Sequence, residues 1–319
     1  MSDNIKLLVV GAGNMGREYA KVISSMNLTA TFICNSPATT QTFYESTGCH
    51  AVDGGLDNWL ENNQLDHTWR VIVATPVEVL ASNLKSLLYS GAKDILVEKP
   101  GFIYLSDGEE LAQMIKAQGA KVWVAYNRRF YSSVLAAEKI IAEDGGLSSI
   151  QYEFTEWGFK IEPLKKGQGV KERWFLGNST HVVDLAFFLS GIPQKYHFYT
   201  SGALDWHPSA SIFVGAGITD RGIPFSYSSN WGAPGRWGIE MMTPAHRLYL
   251  RPMESLQIQK IGSVQVQPFE IEDSLDKQFK PGLYQMVHAF LKRDESRLPR
   301  FESQLAHFKI FCEMANYPS

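Results

Sequence analysis

The chain is poor in the features that mark specialised protein classes. Three cysteines, Cys34, Cys49 and Cys312, stand among 319 residues, an odd number with no CxxC spacing. Neither a disulfide framework nor a zinc site fits that pattern, so no metal is expected, and a reducing, cytoplasmic setting is. No apolar run reaches the roughly 18–20 residues that span a bilayer. The opening Met1-Ser2-Asp3-Asn4 lacks the basic, apolar and small-residue order of a signal peptide, so neither a membrane nor a secretory destination is expected. Charge of one sign is not concentrated anywhere, and the formal net charge is −3. A protein that tracks nucleic-acid phosphates shows a basic stripe, and none is legible. Internal repeats and low-complexity segments are absent as well.

What remains is the composition of an ordinary globular protein, 45% hydrophobic and 20% charged, with enough length for two domains. Residues 5–10, Ile-Lys-Leu-Leu-Val-Val, read as a strand buried on both faces. Helical spacing follows over 16–26, with Tyr19, Val22, Ile23 and Met26 on one stripe. Strands are expected at 29–34, 70–75, 95–97 and 121–126. Helices are expected at 39–47, 77–90 and 107–118, with a polar region at 56–67. Alternating strands and helices on short links imply a parallel, doubly wound sheet. After residue 126 the pattern changes. A helix at 133–143 leads to strands at 150–159, 195–200, 211–218, 224–231, 238–242 and 247–250, with two more before 271. Short turns between them favour an antiparallel sheet. One apolar helix, 181–189, interrupts these strands, and helices at 282–292 and 303–315 close the chain. The fold class is therefore α/β: a Rossmann domain over 1–125, then an α+β domain over 126–319 with a large, mainly antiparallel open sheet. The closing helices are candidates to pack back on the first domain.

The first strand runs straight into Gly11-Ala12-Gly13-Asn14-Met15-Gly16, which opens a helix. A GxGxxG on its own is a weak signal; placed between a buried strand and an amphipathic helix it is a dinucleotide fingerprint. Gly11 allows the tight turn, Gly13 lets the backbone approach a pyrophosphate, and Gly16 lets helix and strand pack closely. The helix N-terminus then stabilises the anion. About 20 residues on, an acid would hold the ribose 2′-hydroxyl of NAD. Here Cys34-Asn35-Ser36 stands in that place, which favours NADP over NAD because Asn35 and Ser36 can hydrogen-bond a 2′-phosphate.

Ala74-Thr75-Pro76 after the third strand and Glu98-Lys99-Pro100 after the fourth resemble the Gfo/Idh/MocA family, the glucose–fructose oxidoreductase and inositol dehydrogenase relatives. Tyr126-Asn127-Arg128-Arg129-Phe130 and His181-Val182-Val183-Asp184 resemble two further segments of that family, in the same order along the chain. The resemblance implies hydride transfer between a nicotinamide and a carbinol or carbonyl of a sugar, polyol or nucleotide sugar. Gly177-Asn178-Ser179-Thr180-His181 further resembles a variant from bacterial surface-carbohydrate pathways. Lys99 also stands out on position alone, at the carboxyl end of a parallel strand where open α/β sheets place ligands. There it can exchange the reacting hydroxyl's proton, with Glu98 positioning it; its alternative is a surface lysine in a loop. The resemblance gives His181 the part of general acid/base or its assistant, against a buried histidine satisfied by its neighbours. Asp184 either orients that imidazole or makes a packing contact.

The chain departs from the family at two places. Gly177 stands where many members carry an aspartate, and Val77 and Leu80 replace an Asn-x-x-His. The proton relay is then left to Lys99 and His181, with Tyr126, Arg128, Glu172 or a substrate group in support. Tyr126, Arg128, Asn178 and Asp184 are the further candidate substrate contacts, and Arg236, in the 231–237 turn, is a candidate for an anionic substrate. Trp206, Tyr227, Trp231, Trp237 and Tyr249 are read as cross-strand packing. The resemblance implies a homodimer or homotetramer through the second sheet. Two rival readings remain: a sensor or regulator that keeps the nucleotide site without catalysis, and an imine or enone reductase on the same fold.

Overall fold

A computed structural model describes residues 5–318. By compactness the chain divides into two units, one reaching Tyr126 and including Leu283–Ala306, the other comprising Asn127–Gly282 and the residues from His307 onward.

The first unit is built on a six-stranded parallel sheet: β1 (Lys6–Val10), β2 (Thr31–Ile33), β3 (Ala51–Val52), β4 (Trp69–Val73), β5 (Asp94–Val97) and β6 (Lys121–Val124). Their order across the sheet is β3-β2-β1-β4-β5-β6, a doubly wound arrangement that reverses direction at β1. Apart from Lys6, Arg70 and Asp94 near their starts, the central strands are apolar because helices cover both faces, and Val71, Ile72, Val73, Ile95, Leu96 and Val97 are fully buried. The helices are α1 (Asn14–Ser25), α2 (Pro37–Thr47), α3 (Gly55–Glu61), α4 (Leu80–Tyr89) and α5 (Leu105–Gln118). Two elements depart from the sequence expectation. β3 has two residues, too few for a legible alternation, and α3 occupies the stretch that reads as polar, burying only Leu56 and Trp59.

By compactness Leu283–Ala306, within the closing helices that the sequence offered as candidates to pack back, groups with the first unit. The apolar face of α10 (Leu283–Lys292) sets Phe290 edge-on against Trp123 at 5.6 Å, and Arg293 pairs with the buried Asp94 at 2.7 Å. The segment before the last helix joins the open edge of β6, where Val124 N–H donates to the Pro299 carbonyl at 2.9 Å.

The second unit carries α6 (Ser132–Glu143) and an eight-stranded sheet in the order β14-β13-β12-β11-β7-β10-β9-β8. Its strands are β7 (Ser149–Glu153), β8 (Pro193–Ser201), β9 (Ile212–Thr219), β10 (Pro224–Asn230), β11 (Gly238–Met242), β12 (His246–Leu250), β13 (Leu256–Lys260) and β14 (Val266–Phe269). Every neighbouring pair is antiparallel except β7 with β10. β7 stops at Glu153 rather than near 159; Thr155 and Glu156 are buried polar residues, and the chain then turns into α7 (Gly158–Ile161). A π-helical turn, Phe175–Ser179, leads into the apolar α8 (Thr180–Ser190). The core is aromatic, with Phe154 packed on Phe175, Phe213 and Tyr227 at 5.2, 5.7 and 5.4 Å. Two further helices complete the set, the short α9 (Ser274–Gln278) in this unit and the 15-residue α11 (Phe301–Ala315) near the end of the chain.

Candidate active site

In the first unit the glycine turn has the form its spacing dictates. Gly11 holds φ at +111°, and a Cβ there would lie 2.6 Å from the Ala74 carbonyl oxygen, so β1 and the loop after β4 touch backbone to backbone. A Cβ on Gly16 would lie 2.1 Å from the Gly11 carbonyl oxygen, which is why α1 leaves the strand so closely. Gly13 is different. It is exposed, and a Cβ there would meet nothing within 4 Å. That open space lies at the N-terminus of α1, where no side chain caps the helix and the first amides remain for an anion. The residues present therefore fit a dinucleotide pyrophosphate.

The turn opens into a cleft of about 510 Å³ lined by Gly11, Gly13, Asn35, Ala74, Thr75 and Pro76 among others. Asn14 and Met15 sit on the first turn of α1, where Asn14 accepts a hydrogen bond from Arg17. Ser36, expected to contact a 2′-phosphate, stands at the N-terminus of α2. Its side chain caps α2, accepting from the Thr39 amide at 3.4 Å and lying 3.0 Å from the Thr39 hydroxyl. Thr39, Ser82, Asn83 and Asp57 also line the cleft, and sequence reading named none of them. Asp57 lies in the first turn of α3, next to the Gly54-Gly55 turn whose Gly55 amide donates to the Cys34 carbonyl at 2.9 Å. The acid thus enters the cleft from beyond the two-residue β3. Among the described residues that line it, none is a lysine or arginine.

Glu98 and Lys99 follow β5 directly, half-buried, and the Lys99–Pro100 peptide is cis. Glu98 accepts a 2.7 Å hydrogen bond from the hydroxyl of Tyr19, which is fully buried on α1. Burial and the neighbouring carboxylate push that hydroxyl's pKa well up, so it stays a donor. The helix that presents the phosphate turn therefore also anchors the residue before Lys99. Gln304 does the same from the far side. Its amide donates to the Pro100 carbonyl at 3.2 Å and its oxygen accepts from the Tyr126 hydroxyl at 3.1 Å. Tyr126, expected as a substrate contact, is fully buried in the first unit. Gln304 gave no signal in sequence, being 178 residues from its partner.

In the second unit the π-helical turn and α8 place Asn178 and His181 one turn apart. His181 is buried, with its ring 5.9 Å from that of Trp237. Asp184 does not serve the imidazole among the contacts described, nor is it placed as an open substrate contact. It is 1% exposed and holds Arg129 in a two-pronged ion pair, Nε at 2.8 Å and Nη2 at 2.6 Å. The reason is geometric: the guanidinium fork matches a carboxylate, and burial demands that the charge be paired. Asn178 donates from its amide nitrogen to both oxygens of Glu156, at 2.9 and 3.0 Å, and the Ser179 hydroxyl donates to the same carboxylate at 2.8 Å. Glu156 is 2% exposed and was missed in sequence. Its signal was a lone acid within Phe154-Thr155-Glu156-Trp157, at the end of an apolar strand. A carboxylate thus reaches the start of α8 from the segment after β7, although Gly177 supplies none.

Arg128 and Arg236 join this cluster. The Arg128 guanidinium lies 4.6 Å from the Trp237 ring centre and 5.7 Å from that of Tyr131. Arg236 lies 4.6 Å from Trp237, 4.9 Å from Trp157 and 3.6 Å from Glu156. Of the five aromatics read as packing, Tyr227 joins the core and Trp206 stacks on Trp231 at 5.7 Å, whereas Trp237 carries two cations. Among the described residues no cluster of histidine, cysteine and acids forms a metal site, and no helix is long and apolar enough to cross a membrane.

Comparison with known proteins agrees with this geometry. The Gfo/Idh/MocA family model, an oxidoreductase family with an NAD-binding Rossmann fold, matches residues 5–126. The uncharacterized oxidoreductase YdgJ of Escherichia coli K12 is 25% identical over 209 residues, spanning 60% of this chain and 56% of its own. The chain thus matches little more than half the length of that curated relative. Among solved structures, a Desulfitobacterium hafniense protein proposed to be an NADPH-dependent oxidoreductase superposes with a TM-score of 0.78 at 17% identity, covering 98% of this chain and 95% of its own. UDP-N-acetylglucosamine 3-dehydrogenase GnnA of Acidithiobacillus ferrooxidans gives 0.73 at 14% identity, covering 98% and 97%. Levoglucosan dehydrogenase with NADH and L-sorbose gives 0.74 at 17%, covering 98% and 96%. The likeness to the Gfo/Idh/MocA oxidoreductase family is thus carried in sequence by the NAD-binding Rossmann region, residues 5–126.

Proposed function

We propose that the protein is a nicotinamide-dependent dehydrogenase or reductase acting on a sugar-like carbinol or carbonyl. The observation that carries this reading is the open glycine turn at the mouth of a 510 Å³ cleft, tied through Tyr19 to the strand end that bears Glu98 and Lys99. Gly11, Gly13 and the first amides of α1 hold the pyrophosphate, while Ala74, Thr75 and Pro76 line the cleft beside it. The bound nicotinamide supplies the two-electron chemistry, giving or taking hydride at C4. Lys99 exchanges the proton of the reacting hydroxyl at Nζ, and Glu98, fixed by Tyr19, keeps the loop that carries it in place. His181 assists as acid or base, the part the family resemblance gives it. The sensor reading leans on the missing aspartate at 177, and the Glu156 carboxylate held by Asn178 and Ser179 weakens that ground. Relatives of the same fold are named for sugar and UDP-sugar oxidation, which agrees with the substrate class.

NAD(H) is proposed ahead of NADP(H), reversing the preference drawn from Asn35 and Ser36. A 2′-phosphate would meet the Asp57 carboxylate in a cleft lined by no cation, and Ser36 is engaged as a helix cap. A homodimer or homotetramer is proposed through the second sheet, whose outer face exposes Tyr199, Val214 and Ile218 on the paired strands β8 and β9.

The test is turnover. Purified protein is supplied with NAD or NADP and a panel of sugars, sugar acids and nucleotide sugars, and nicotinamide absorbance is followed. The reading expects a substrate whose oxidation falls by about 10²–10⁴-fold in Lys99→Ala, the range for loss of a general acid or base. Turnover unchanged in Lys99→Ala would refute it. Asp57→Asn is expected to raise kcat/KM with NADP relative to NAD by about tenfold, as befits removing one uncompensated charge.

A further inference from the structure

Positive charge in the second unit is gathered on two indole rings. Arg128 and Arg236 both lie 4.6 Å from the ring centre of Trp237; Arg236 and Lys160 lie 4.9 and 4.8 Å from that of Trp157. Three cations on two aromatic faces are set against one buried carboxylate, Glu156, which is already engaged by Asn178, Ser179 and Arg236. Stacking lowers the cost of holding weakly hydrated guanidiniums close together, but it supplies no counter-charge.

Arg128 is the telling member. It is half-buried, and no carboxylate lies within ion-pair distance of it among the described residues. Its hydrogen bonding to protein is a long 3.4 Å contact with the Asn127 side-chain oxygen, and its Nε is buried with no acceptor. The Trp237 indole N–H, in the same cluster, is also a buried donor without an acceptor. The charges facing Arg128 are Glu156, the exposed Glu254, Arg236 and the Tyr131 phenol. Burial lowers the Arg128 pKa, the direction expected of a cation that lacks compensation. Buried donors in native proteins have partners, and a ligand is one way to supply them. Arg236 is 47% exposed along its side chain, so this guanidinium is open to solute beside the half-buried Arg128.

We infer that the substrate is an anionic sugar, whose carboxylate or phosphate oxygens are held by Arg128 and Arg236 at the Trp237 ring. This rests on the dehydrogenase reading for the sugar itself, but not for the anion. A carboxylate of a sugar acid and the diphosphate of a nucleotide sugar share the chemistry. Lys160 and the exposed rings of Trp157 and Phe159, which stack 6.4 Å apart, would reach only the longer of the two.

The experiment is calorimetric titration of the full-length protein, alone and saturated with NADH, using UDP-N-acetylglucosamine, D-glucuronate and D-glucose. At least one anion is expected to bind about tenfold or more tightly than glucose, as one charge-assisted contact requires. That advantage should shrink with added salt and disappear in Arg128→Gln and Arg236→Gln. Arg236 is the exposed partner, so its variant keeps the test valid if the Arg128 variant misfolds. UDP-N-acetylglucosamine binding that weakens in Lys160→Ala assigns the diphosphate; glucuronate binding indifferent to Lys160 assigns the carboxylate. Glucose binding as tightly as both anions, or an anion preference that survives in Arg236→Gln, overturns the inference. Failure of both NADH and NADPH to bind in the same instrument contradicts the dehydrogenase reading instead, and leaves the anion result to be read by itself.

Discussion

At the scale of single residues, burial decides which polar side chains hold the structure and which face a ligand. Asp184 and Arg129 pair in the interior, so removing one strands the other. Asp184→Ala is expected to cost about 3–5 kcal/mol of stability in chemical denaturation. An orienter of His181 would instead lose turnover at nearly unchanged stability, and that result would favour the orienting role, one of the two the sequence left open for Asp184. His207 is fully buried between the Ala210 carbonyl and the Tyr317 hydroxyl, both at 2.6 Å, and His307 is 7% exposed. Burial lowers the pKa of both imidazoles. The unfolded chain therefore binds more protons than the folded one once pH drops below about 6.5, and stability falls with pH through that window. Melting temperatures measured from pH 7.5 to 5 should decline, and the decline should be shallower in His307→Gln.

At the scale of elements, the glycines of the phosphate turn separate packing from binding. Gly16→Ala forces a Cβ to 2.1 Å from the Gly11 carbonyl oxygen, so about 1–3 kcal/mol of stability should be lost. Gly13→Ala meets no protein atom and should melt as the wild type does, yet it would intrude on the proposed pyrophosphate site. In the π-helical turn, Gly177 has open space and no positive φ, so Gly177→Ala should stabilise by about 0.4–1 kcal/mol through the unfolded state.

Legibility in sequence follows the same physics. β1, β4, β5 and β6 were readable because strands buried on both faces are continuous apolar runs. β3 and α3 were not, being two and seven residues long, and Asp57 went unread with them. The glycine turn and Lys99 were readable because their chemistry is local. Glu156, Gln304 and the pairing of Arg128 with Arg236 over one indole were not, since each joins residues far apart in the chain.

For the molecule as a whole, a net charge of −3 conceals a local excess of positive charge on the Trp237 and Trp157 rings. Whole-chain charge argued against nucleic acid and said nothing of an anionic sugar. The exposed apolar face of β8 and β9 belongs to the same scale. Light scattering on the purified protein is expected to give a dimer or tetramer, and Tyr199→Lys with Ile218→Lys should shift it to monomer.

The central claim is that the glycine turn holds a nicotinamide dinucleotide, and equilibrium titration with NADH and NADPH tests it most directly. One nucleotide is predicted to bind per chain, NADH more tightly than NADPH, with Gly13→Ala weakening it at least about tenfold at unchanged melting temperature. Binding of neither nucleotide, or Gly13→Ala binding as tightly as the wild type, would contradict it.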